Sequence, residues 1–75
     1  MKTESTLEPQ VVAMWQNAKG TVTIYAYHNL QYSVIRNGAT SNFDMSHWYI
    51  SSGSVINHIE NDIAAGYYPG VRRVG

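Results

Sequence analysis

Thr21-Val22-Thr23-Ile24-Tyr25-Ala26-Tyr27 is the stretch on which the architecture turns. Val22, Ile24 and Ala26 alternate with Thr21, Thr23, Tyr25 and Tyr27, and a period of two in a β-branched, aromatic run marks a strand with one buried face. Successive side chains on a strand point to opposite sides, so Tyr25 and Tyr27 belong to the face opposite the Val22, Ile24 and Ala26 row.

Downstream, His28-Asn29 reads as a turn, and Leu30 to Arg36 alternates again, with Leu30, Tyr32 and Val34 on one side and Gln31, Ser33 and Ile35 on the other. Asn37-Gly38 then supplies the dipeptide preferred in type I′ hairpin turns, where both central residues need positive φ. A third, more polar strand is expected from Ala39 to about Met45, with Phe43 and Met45 inward. Ser51-Ser52-Gly53-Ser54 offers N-caps for a helix to about Ala65, its apolar stripe made by Val55, Ile56, Ile59 and Ile63. Gly66 ends it, and Tyr67-Tyr68-Pro69-Gly70 reads as a turn.

Upstream, residues 5 to 19 read as a first helix. Ser5 to Glu8 matches a capping box, Pro9 falls in the first turn, and Leu7, Val11, Met14/Trp15 and Ala18 make one stripe stopped by Gly20. The expected fold is therefore α+β: an N-terminal helix, a three-stranded antiparallel meander and a C-terminal helix (α-β-β-β-α), with the helices on one sheet face. At 75 residues there is room for a single small domain, 1–75. Residues 1–4 and 71–75 are expected as flexible ends, with Val71–Gly75 either a frayed tail or a short last strand.

The composition excludes more than it selects. Without Cys, disulfides and thiolate metal sites are absent, and five basic against five acidic side chains leave a formal charge of zero, a poor match to general DNA binding. No apolar run approaches the roughly 20 residues that cross a bilayer, and Met1 to Ser5 opens no secretory signal, so the expectation is a cytoplasmic chain with no membrane association.

Four constellations bear on chemistry. His58 and Asp62, four apart on one helical face, begin a metal site that only the distant His28 or His47 would complete, and a solvated helix face explains them better. Asp44, Ser46 and His47 have the residue types of a hydrolytic triad, but three residues within four positions of an extended segment cannot converge on one atom. The serines from Ser51 to Ser54 lack the Lys and glycine spacing of a phosphate loop and read as capping. No catalytic residue, no metal and no cofactor is expected, and the chain is read as a non-enzyme.

The fourth constellation is aromatic. Six Tyr and two Trp stand against one Phe in a chain with only 13% charged residues, more amphipathic ring than so small a core absorbs. With Tyr25 and Tyr27 facing away from the helices, Trp48 and Tyr49 at the rim and Arg36 as a flanking charge, the expected function is a non-catalytic protein-binding module. An adaptor or inhibitor docked on a larger protein is the form expected, and a homodimer is compatible with it. Short, cysteine-free chains of this kind are common among phage and mobile-element accessory proteins, which suggests host takeover or counter-defence. The alternative is single-stranded nucleic-acid binding, with Tyr25 and Tyr27 stacking on bases and Arg36, Arg72 and Arg73 meeting phosphates.

Overall fold

A computed structural model describes residues 10–75. They form five strands, β1 (Val11–Asn17), β2 (Val22–Tyr27), β3 (Gln31–Arg36), β4 (Ala39–Asp44) and β5 (Val71–Arg73), with one helix, α1 (Ser52–Ala64), between β4 and β5. All neighbours are antiparallel, in the spatial order β4-β3-β2-β1-β5. This corrects the expected α-β-β-β-α fold. The sheet has five strands rather than three, and the one helix among the described residues follows the first four of them.

The correction turns on Val11 to Asn17. Its apolar residues fit a helical stripe, but they also fit an alternation, since Ala13 and Trp15 are each 1% exposed while Met14 and Gln16 beside them are half-buried. Val11 and Val12 lose more side-chain freedom in a helix than in a strand. Pairing with β2 on one side and β5 on the other then satisfies the backbone of this segment within a sheet. The capping box from Ser5 to Glu8, Leu7, Pro9 and the expected loose residues 1–4 lie outside the described residues. Gly20, read as a helix stop, sits at φ 70 in the β1–β2 turn, which Asn17 closes by accepting the Thr21 and Val22 N–H groups through Oδ1 at 2.9 and 3.3 Å.

The later hairpin has the geometry its dipeptide asks for, with φ of 53 at Asn37 and 84 at Gly38 between the paired residues Arg36 and Ala39. Helix α1 starts on Ser51, whose hydroxyl accepts the Ser54 N–H at 3.2 Å. It ends in a Schellman motif, in which Gly66 donates to the Ile63 carbonyl and Tyr67 to that of Asp62, each at 3.0 Å. Val71–Arg73 take the strand alternative and pair with β1.

One core lies between α1 and the sheet. Val55 and Ile59 of the helix are fully buried, against Trp15, Ile24 and Val34 from the three inner strands and Met45 just past β4. Trp15 carries a polar handle into this layer, its indole Nε1 donating to Glu60 Oε2 at 3.2 Å. Trp15→Ala is therefore expected to cost about 3–5 kcal/mol. Glu60→Ala, which leaves the buried indole N–H unpaired, should cost about 1–3 kcal/mol. Urea denaturation of both variants measures the two losses.

Candidate binding surface

The sheet face turned away from α1 is assembled row by row from the strand registers. Asn42, Ser33, Tyr25 and Met14 are successive cross-strand neighbours, and Thr40, Ile35, Thr23, Gln16 and Arg72 make the next row. Tyr27 lies across from Val11. The Tyr25 and Tyr27 rings stack with centroids 6.4 Å apart and planes 23° from parallel, so two amphipathic rings form one continuous ridge along β2. Both are half-buried. Thr23 and Ser33 are buried on the same face, because the larger side chains of neighbouring strands close over them.

Charge is sparse here. Arg72 from β5 and Asp44 from β4 sit toward opposite edges, with uncharged side chains between them. Such a surface is easily desolvated and offers aromatic, aliphatic and amide contacts, the make-up of the centre of a protein interface rather than of a phosphate track.

The other expected site residues are elsewhere. Arg36 lies on the helix-side face, its guanidinium 5.5 Å from the centroid of the buried Tyr68 ring. Arg73 is on that face too, 5.8 Å from the Trp15 ring centroid, with Nε donating to the Gly75 carbonyl at 3.0 Å. Tyr49 packs against the core, its hydroxyl 3.0 Å from His58 Nδ1 on α1. Trp48 stands exposed on the connection before α1. Tyr25 and Tyr27 thus share a surface with Arg72 but not with Arg36, Arg73 or Tyr49. Met14, Val11 and Ile35 join that surface instead; the alternation of Ala13 to Gln16 is the signal that places Met14, while Val11 reaches this face through a register shift between Val11 and Ala13.

A second aromatic group fills the helix side near β4. Tyr32 stacks on Phe43 at 4.7 Å and lies tilted by 52° against the His58 ring, while His58 Nε2 lies 3.3 Å from Asp62 Oδ2. Burial, followed by the neighbouring Tyr68 and the Asp62 carboxylate, pushes the Tyr32 hydroxyl up to about 12. Burial and Asp62 raise Tyr68 as well, opposed by Arg36. These groups are taken up by one another and by the core. The described residues contain no group of three His, Cys, Asp or Glu arranged to hold a metal ion, and no helix long and apolar enough to cross a membrane. An open cleft of about 320 Å³ between the β1–β2 and α1–β5 turns has Lys19 as its one charged lining residue.

No protein-family model matches the chain, nor does any curated protein sequence or solved structure.

The Tyr32 environment has a consequence in alkali. Its hydroxyl is neutral in both folded and unfolded chains below pH 10, the unfolded value, and ionises in the folded chain only near 12. The stabilisation is therefore complete below pH 10 and is lost as the pH climbs toward 12. Denaturation midpoints should fall over that window, and the fall should be shallower in Tyr32→Phe.

Proposed function

We propose that the protein is a non-catalytic binding module that docks on a larger protein, as an adaptor or inhibitor, through the sheet face built around Tyr25 and Tyr27. The observation that carries this reading is the stacked tyrosine pair at the centre of a nearly uncharged face, with the one described helix packed on the other side of the sheet. Tyr and Trp anchors with a polar tip give large contact area at low conformational cost and dominate the energetics of many interfaces. A sheet face bearing such a ridge suits a partner surface better than a small molecule, which needs a concave site.

The nucleic-acid alternative has weaker support. Of the three arginines it calls on, Arg36 and Arg73 lie on the helix side against Tyr68 and Trp15, which leaves Arg72 to neutralise phosphate beside Tyr25 and Tyr27. One cation supplies little of the counterion release on which such binding depends.

The test is capture of a partner from host lysate on the immobilised chain, then calorimetric titration of that partner against wild type and a Tyr25→Ala/Tyr27→Ala double variant. Binding should weaken at least about tenfold, roughly 1.4 kcal/mol, with the thermal midpoint shifted by only a few degrees. Undiminished affinity in the variant removes this face from the function, and a collapse of the midpoint assigns the tyrosines to the fold instead. Labelled single-stranded oligonucleotides titrated at low salt separate the alternative, since attraction to phosphate is greatest there.

A further inference from the structure

The two edges of the sheet are unlike. β5 is three residues long and carries Arg72 and Arg73, a short, charged edge of the kind that resists further pairing. β4 runs for six residues, all exposed, with the sequence Ala-Thr-Ser-Asn-Phe-Asp. It has no Lys, no Pro and an unbroken one-to-one register with β3, so neither a lysine, a proline nor a bulge blunts it.

The hydrogen-bonding phase of this edge follows from its two ends. Ala39 pairs with Arg36 to close the Asn37-Gly38 turn, and the Met45 N–H donates inward to the Leu30 carbonyl at 2.8 Å. Odd-numbered residues from 39 to 45 therefore bond toward β3, and the N–H and C=O groups of Thr40, Asn42 and Asp44 point away from the sheet, since the direction alternates along a strand. Their side chains share the face of Tyr25, across the row through Ser33.

We propose that β4 pairs antiparallel with β4 of a second copy of this chain about a two-fold axis perpendicular to the sheet. The pairing that keeps every outward hydrogen-bonding partner within the strand sets Asn42 opposite Asn42 of the copy and Thr40 opposite Asp44. Asp44 is the strand's one charge, and this register sets it against a hydroxyl rather than against its own copy. On the helix side Ser41 falls opposite Phe43, which makes the two Phe43 side chains diagonal neighbours, within reach of each other. Phe43 is 38% exposed although it stacks on Tyr32, and the second copy covers that remaining apolar surface. The result is one ten-stranded sheet with both helices on one side and both Tyr25/Tyr27 ridges on the other. This pairing does not depend on what those ridges bind.

Sedimentation of the whole chain over a range of concentrations tests it. Wild type should show a concentration-dependent species of twice the 8.4 kDa monomer mass. Asn42→Pro removes an outward N–H without removing a bond to β3, a position at which an edge strand tolerates proline, and should abolish the dimer. Should that variant fail to fold by circular dichroism, Asn42→Asp and Asn42→Lys carry the test. Each puts like charges on the two-fold axis and should be monomeric alone, and their mixture should restore the dimer. A wild type that stays monomeric at millimolar concentration overturns the proposal and leaves the edge to a strand of a different protein. A dimer that survives both charged variants overturns it as well, because its contact is then elsewhere.

Discussion

Trp15 is the side chain through which the separate parts of this small fold are joined. It is 1% exposed in the middle of β1, pairs across to Ile24 of β2 and to Arg73 of β5, and donates its indole N–H to Glu60 of α1. The Arg73 guanidinium lies against the same ring. A chain of this size, without disulfides, has a core only a few kcal/mol from failure. One large ring that touches two neighbouring strands and the helix, with its polar atom satisfied, is an efficient way to hold a late, three-residue edge strand in place. Without the Trp15 ring, β5 would be left with a few ladder bonds and the Val71 side chain.

The reading of Thr21 to Gly38 from sequence rested on interactions local enough to leave their mark there. Alternation in Val22 to Tyr27 and the Asn37-Gly38 pair each specify geometry within a few residues. Val11 to Asn17 was illegible for the opposite reason. Its stripe satisfies periods of both 3.6 and 2, and what decides between them is a strand some fifty residues later, Val71–Arg73, which completes the ladder on its outer side. The site followed the same divide. Tyr25 and Tyr27 were placed by their own alternation, and Arg36, in phase with Tyr32 and Val34, follows the same rule to the helix side, whereas Arg73 takes that side through its register with Trp15 and Tyr49 is bonded to His58, long-range pairings that no local pattern records.

The excess of amphipathic rings divides cleanly once the two faces are separated. Tyr32 and Tyr68 are buried, and Tyr49 packs against the core while bonded to His58. Their hydroxyls are used inside the protein, that of Tyr49 on His58 of the helix and those of Tyr32 and Tyr68 buried beside each other. The rings left toward solvent are the half-buried β2 pair and the exposed Trp48 and Tyr67.

The composition of the outer face depends on a single irregularity. The register between β1 and β2 shifts between Val11 and Ala13, so that Val12 is an extra residue in β1. Without that bulge Val11 would fall in phase with Ala13 and Trp15 and point at the helix layer. With it, Val11 lies across from Tyr27 on the opposite face, 50% exposed. Bulges commonly re-aim a side chain next to a functional surface. Here the extra residue lets one short strand serve both layers, giving Ala13 and Trp15 to the core and an aliphatic flank to the tyrosine ridge.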